Sequence, residues 1–182
     1  VINPFWGCAH GCRYCYAVFM RKYSHLHRKA PWGSFVEVKT NIAEVLRSEL
    51  RRKRRRGRVL LSSVCDPYQP LEQRYRLTRG CLEALRDYGW GIDILTRSPL
   101  VTRDVDLLAE TPEVTVGLSI PTDNDSVRKV LEPHSPPIGA RLTALKRLHA
   151  SGIQTWVFIA PILPMNPTRL VEALEPYATH LL

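Results

Sequence analysis

"RVLLSSVCDPYQPLEQRYRLTRGCLEALRDYGWGIDILT", residues 58–96, reads as strand, loop, helix, strand. RVLLSSV is a short apolar run bounded by turn signals, the pattern of a strand buried on both faces. From Thr78 to Tyr88 the apolar positions take helical spacing, with Cys81, Leu82 and Leu85 on one stripe and Gly89 as the stop. GIDILT is the next buried run. Such a unit implies parallel strands, because the intervening helix carries the chain back to the starting end of the sheet.

The same alternation continues in both directions. Upstream, Asn41 opens a helix with Glu44 in capping-box position, Ile42, Val45, Leu46 and Leu50 forming its buried stripe and Gly57 its end. Before it, Tyr16–Tyr23 looks helical, HRKAPWGS is a loop, and residues 1–4 form a short strand. Downstream come a helix over 101–110, the strand EVTVGLSI, a short helix from Asp123, and the proline-broken EPHSPPIG. A helix from Gly139 to Ser151, the strand TWVFIA, a helix begun by Asn166 and Pro167, and the opening of a strand at HLL complete the chain. Five strands and the start of a sixth predict one α/β domain over residues 1–182. Its form is a partial (β/α)6-type TIM-like barrel of parallel strands, cut at the sixth. The chain starts at Val1 and stops in THLL, so a longer parent protein is expected.

At 182 residues and 45% hydrophobic content the chain is long enough for a continuous core. TWVFIAPILPM is too short and too proline-rich to cross a bilayer, no signal peptide is visible, and no membrane partner is expected. Three of five cysteines lie together, which does not suit a secreted disulfide framework; a reducing cytoplasm is expected. RRKRRRGR at 51–58 carries seven of the positive charges behind a net charge of +9. Such a run is either a solvated helix end or a contact to nucleic-acid phosphates. It precedes the second strand, which places it toward the face of a βα barrel opposite the catalytic rim.

In parallel α/β folds ligands bind at the carboxyl ends of the strands. Those ends supply the cysteine loop, then Ser62, Ser63, Cys65 and Asp66, then Thr96, Arg97 and Ser98, then Ser119 and Thr122, and an apolar fifth end at Ile159–Pro161. The cysteine loop is NPFWGCAHGCRYCYA, residues 3–17, with Cys8, Cys12 and Cys15 in eight positions. Structural zinc prefers four ligands in two short pairs, and His10 as a fourth lies inside the same tight loop. A cubane iron–sulfur cluster is the better match, since three thiolates leave one iron free for an outside ligand. Gly7 and Gly11 would let the backbone curl around it.

C-x3-C-x2-C with Tyr14 before the third cysteine resembles the signature of the radical S-adenosylmethionine superfamily. Together with DPYQPLE, LTRS, RDVDLL, LEPHSP and APILP it resembles the spore photoproduct lyase-like (SplB-type, "DNA repair photolyase") branch. That resemblance, over residues 2–166, implies a [4Fe–4S] cluster on Cys8, Cys12 and Cys15 and S-adenosyl-L-methionine chelated to the open iron. An electron donor would reduce the cluster, and reductive cleavage would give a 5′-deoxyadenosyl radical that takes hydrogen from substrate. Placed on this sequence, Tyr14 would shape the adenine pocket and Arg97 would pair with the cofactor carboxylate. Ser119 would bond its ribose or carboxylate, and Ser63 and Asp66 would line its pocket. Many superfamily members carry Gly-Gly-Glu where this chain has SSVCDP, which leaves that contact open. Cys65 is either a hydrogen-atom donor on the rim or a small buried hydrophobe. Glu132 and Arg141 are expected to pair structurally.

A nucleic-acid substrate, of the DNA-lesion lyase kind, follows from the branch and the 51–58 run. The same radical acting on RNA, protein or a small molecule is the alternative within enzymes. A zinc-dependent nucleic-acid-binding module is the alternative outside them.

Overall fold

Near the amino end of the computed structural model, which describes residues 1–182, two strands of only two residues each pair antiparallel. These are β1 (Phe5–Trp6) and β2 (Glu37–Val38). The chain between them carries the cysteine loop and a 3-10 helix, Tyr16–Tyr23. Neither strand is visible in the sequence, because two residues show no period.

The chain then alternates. α1 (Ile42–Arg52) leads to β3 (Arg58–Leu61), followed by α2 (Glu72–Tyr75), α3 (Leu77–Asp87) and β4 (Gly91–Thr96). A 3-10 segment, Pro99–Asp104, runs into α4 (Val105–Glu110) and β5 (Val114–Ser119). α5 (Asp125–Leu131), α6 (Ile138–Ala150), β6 (Gln154–Phe158) and α7 (Pro167–Leu174) complete it.

Strands β3, β4, β5 and β6 lie side by side in that order, all parallel. Each edge is extended by a single bridge, Ile2 to Leu61 on one side and Leu181 to Val157 on the other. The six strand positions expected from the sequence are therefore present, with the first and last reduced to one residue pair, and the α/β partial barrel stands.

Strand residues alternate in the way a pleated sheet requires. Val59, Leu61, Ile92, Ile94, Val116, Leu118 and Val157 face the helices within a core cluster of 24 residues. Each such side chain contributes about 1.5–3 kcal/mol on full burial. The other face turns Leu60, Leu95 and Phe158 toward a cavity at the carboxyl ends. No helix is long and apolar enough to cross a membrane.

Some local expectations are corrected. Asn41 makes no side-chain cap bond, and α1 ends at Arg52 rather than Gly57, with the rest of the basic run in the loop to β3. Val45 is exposed, because only Leu46 and Leu50 of the expected stripe reach full burial. The helix at 101–110 is two pieces, a 3-10 turn capped by Ser98 and then α4. Asn166 does cap α7, its Oδ1 accepting from the Arg169 N–H at 3.1 Å.

Candidate active site

The cysteine loop leaves β1 through Gly7, whose φ of +86° favours glycine. A Cβ there would stand 2.5 Å from the Phe35 backbone oxygen. Gly11 packs on Gly33, which has a φ of +97°, and a Cβ on Gly33 would come within 2.7 Å of the Gly11 Cα. The loop is also pinned from below. The Ala9 N–H donates to Gln69 Oε1 at 2.9 Å, the Gln69 amide donates to Gly7 O, and the Arg13 N–H donates to Leu131 O at 2.9 Å. Gln69 is wholly buried, and its anchoring role had no sequence signal beyond its place in DPYQPLE.

Cys8, Cys12 and Cys15 are free thiols bordering one cavity of about 470 Å³, a size suited to a cofactor. Tyr14, Ser63, Cys65, Asp66 and Arg97 border the same cavity, so all but one of the sequence-derived site residues meet there. Tyr16 and Trp32, not singled out in the sequence, also line it, as does Pro161 of the apolar fifth strand end. No three His, Cys, Asp or Glu side chains converge closely enough to hold one metal ion. Four donors do not meet at one point as a tetrahedral zinc requires, and three thiols on one cavity are the donor type that iron–sulfur clusters take.

Ser119 is the exception. It is wholly buried at the end of β5 but does not border the cavity. Its backbone oxygen accepts from Arg141 Nη1 at 2.9 Å, while its own hydroxyl meets no partner.

Asp66 ties three strand-end loops together. Its Oδ1 accepts from the Thr96 hydroxyl at 2.6 Å and the Tyr68 N–H at 2.9 Å, and its Oδ2 from the Arg97 N–H at 2.8 Å. His10 Nε2 lies 3.2 Å from Oδ2. Burial alone would push this carboxyl up, but His10, the Arg97 N–H and Thr96 outweigh it and hold it at about 2. Asp66 is therefore a carboxylate that organises the rim, with its oxygens already engaged.

A second buried network positions Arg97. Its Nε donates to Glu132 Oε1 at 3.0 Å, and Nη2 approaches the Tyr14 hydroxyl, which itself donates to Glu132. Arg141 Nη2 donates to Glu132 Oε2 at 2.5 Å, the expected structural pair. Burial would raise the Glu132 carboxyl, yet Arg141, Arg97 and Tyr14 lower it. Arg97 Nη1 is the guanidinium nitrogen left without a protein acceptor.

Cys65 is half-buried on the loop after β3, with Sγ 2.8 Å from Ser62 Oγ and 3.4 Å from Phe5 O. Burial pushes its thiol up to about 11, against the lowering effect of Ser62. The 51–58 arginines do not border the cavity. They lie near the amino ends of the strands, where Arg58 forks onto Asp93 at 2.6 and 2.7 Å.

The structure is thus an open parallel α/β sheet with a three-thiol cavity at its carboxyl rim. The profile of the Radical SAM superfamily matches residues 2–175, and the chain belongs to that superfamily. It is 40% identical to an uncharacterized protein of Methanocaldococcus jannaschii over 90% of this chain and 60% of that protein. Among solved structures it is similar to a spore photoproduct lyase variant with bound AdoMet and dinucleoside spore photoproduct. There the TM-score is 0.65 at 19% identity, over 97% of this chain and 52% of that one. Streptococcus suis SuiB bound to S-adenosylmethionine gives a TM-score of 0.55 at 18% identity, over 68% of this chain and 28% of that one. The chain thus spans about a third to three-fifths of the length of the curated relatives it matches.

Proposed function

We propose that Cys8, Cys12 and Cys15 hold a [4Fe–4S] cluster and that S-adenosylmethionine lies beside it in the same cavity. The observation that carries this is the meeting of the three thiols with Arg97 and Tyr14 around one cofactor-sized space in a radical SAM chain. Held there by the three thiols and Arg97, the two groups would supply one-electron reductive cleavage and hydrogen-atom abstraction, with the electron from an external donor.

The chain's own residues bind and orient. Glu132 fixes the Arg97 guanidinium so that Nη1 stays available to the cofactor carboxylate. Tyr14, fixed by the same Glu132, presents its ring to the cavity as one wall of the adenine pocket. Ser63 lines that pocket, and Asp66 holds the Arg97 backbone in register. Trp32, Leu60, Leu95 and Phe158 give the cavity apolar walls that lower the polarity around the reacting centre. Cys65, a thiol across the neutral range, can give its hydrogen atom to a substrate-derived radical; the thiyl radical left on it would regain an electron from the external donor and a proton from solvent.

For substrate we read a nucleic-acid lesion, supported by the likeness to the spore photoproduct lyase bound to a dinucleoside photoproduct. A peptide substrate is the second reading, since a similar SuiB structure is bound to precursor peptide SuiA. The deciding experiment is anaerobic reconstitution with iron and sulfide, reduction with dithionite, and quantification of 5′-deoxyadenosine. The chain should carry about four irons and form 5′-deoxyadenosine, and Cys12→Ala should form none. A protein that binds one zinc instead, or that loads iron and leaves S-adenosylmethionine intact, overturns the proposal.

A further inference from the structure

The first 36 residues contain Arg13, Arg21, Lys22, Arg28 and Lys29 and no acidic residue; the first is Glu37. All five cations are exposed, and none takes part in an ion pair. Three aromatic side chains stand among them: Tyr16 is 65% exposed, Phe19 44% and Tyr23 53%. A 3-10 helix repeats every three residues, so Tyr16, Phe19 and Lys22 fall on one line. The Tyr16 and Phe19 rings are 6.5 Å apart, and the Lys22 ammonium lies 4.9 Å from the Tyr23 ring centre. The line starts at the cavity, since Tyr16 and Ala17 border it, and leads outward across the surface.

From this we infer that the 3-10 helix and the residues flanking it, 13–29 in all, form a binding surface for single-stranded nucleic acid that feeds the cavity. Cations without carboxylate partners track a phosphate backbone, and exposed rings accept base stacking whatever the sequence. A row of exposed rings beside cations that lack carboxylate partners matches what a polyanion with flat apolar faces would cover. Charge and rings together favour a strand over an acidic peptide, which would use the charge alone. The inference moves the nucleic-acid contact away from the 51–58 run, whose arginines lie at the opposite ends of the strands. It rests on the nucleic-acid reading of the substrate, not on the cluster chemistry.

The test is fluorescence anisotropy of a labelled mixed-sequence single-stranded DNA, titrated with the chain over a salt series without reductant or S-adenosylmethionine. Reversing Arg21→Glu with Lys22→Glu should weaken binding at least about tenfold and cut the salt slope by about 1.4, at about 0.7 per lost phosphate contact. Arg28→Glu with Lys29→Glu gives a second, independent pair. Arg54→Glu with Arg55→Glu on the far face should change affinity less than about threefold. Phe19→Ala with Tyr23→Ala should weaken binding about tenfold at unchanged salt slope, as lost stacking does. Equal losses from both faces, no loss in the aromatic variant, or equal competition by polyglutamate would each overturn the inference. Binding is read without turnover, so a chain that cleaves S-adenosylmethionine but fails here loses only this surface. A chain that binds the strand here but cannot cleave loses only the cofactor reading.

Discussion

Asp66, on the loop after β3, accepts the backbone N–H of Arg97 at the end of β4, 2.8 Å away. One carboxylate thereby locks the register of two neighbouring strand ends, and with them the direction in which Arg97 leaves the sheet. His10, from the cysteine loop, closes on the same oxygen. The rim is thus assembled around a buried charge rather than around apolar packing.

Asp66→Asn should be costly for that reason. An amide offers one accepting oxygen where the carboxylate offers two, so a buried N–H loses its partner at a cost of about 1–3 kcal/mol. The pH dependence has a definite sign. The folded carboxyl sits at about 2, below its ordinary 3.8, so its stabilisation is complete above the ordinary value and is lost as pH falls toward 2. Urea unfolding at pH 7, 4 and 2.5 should show about 2 kcal/mol more loss in the native chain than in Asp66→Asn across the acid steps. Parallel acid losses in the two would refute it.

Two glycines make an opposed pair of tests. Gly33→Ala would put a Cβ 2.7 Å from the Gly11 Cα at a φ of +97°, and should cost at least about 2 kcal/mol. Because Gly11 belongs to the cysteine loop, iron loading should fall with it. Gly139, in the first turn of α6, has nothing within 4 Å of its added Cβ. Gly139→Ala should raise stability by about 0.5–1 kcal/mol. Thermal melts read both, and a change of the same sign in the two would contradict the geometry.

What the sequence made legible follows from the range of the forces involved. The strands β3 to β6 announce themselves locally, as apolar runs bounded by helix-stopping Gly89 and Gly152 or by polar clusters; β4, β5 and β6 fall within two residues of expectation, and β3 ends three residues early, at Leu61. The three cysteines were legible because their spacing is a chemical requirement within one loop. Tyr14, Arg97 and Glu132 meet from positions 14, 97 and 132, and only tertiary structure could show that Arg97 is already braced by Glu132. Ser119 was placed correctly at a strand end and shares the sheet face of its neighbour Phe158, but it is wholly buried and does not reach the cavity wall. Val45 failed because a helical stripe reports amphipathicity without saying how wide the covered face is.

Glu132→Ala would strip three donors of their shared acceptor and leave Arg97 and Arg141 as uncompensated buried cations. A loss of about 3–5 kcal/mol is expected in urea unfolding. Arg141→Met removes one cation while Glu132 keeps Arg97 and Tyr14, so it should cost clearly less. Equal losses would show that Glu132 serves Arg141 alone and does not brace the cavity arginine.

Cys65 offers the sharpest separation of roles. Burial holds its proton to about 11, against an ordinary 9.0, so the thiolate fraction at pH 8 is lowered about 100-fold. Peptide mapping after iodoacetamide treatment should find Cys65 alkylated far more slowly in the folded chain than in urea, with the folded rate climbing steeply as pH approaches 11. Ser62→Ala removes the hydrogen bond that lowers the thiol, and should slow alkylation further. As a hydrogen-atom donor, Cys65 is needed only after the cofactor has been cleaved. Cys65→Ala should therefore keep 5′-deoxyadenosine formation within about threefold while product formation falls at least about 100-fold, near 2.7 kcal/mol of barrier. If cleavage and product fall together, Cys65 is packing for the cofactor pocket and not a donor.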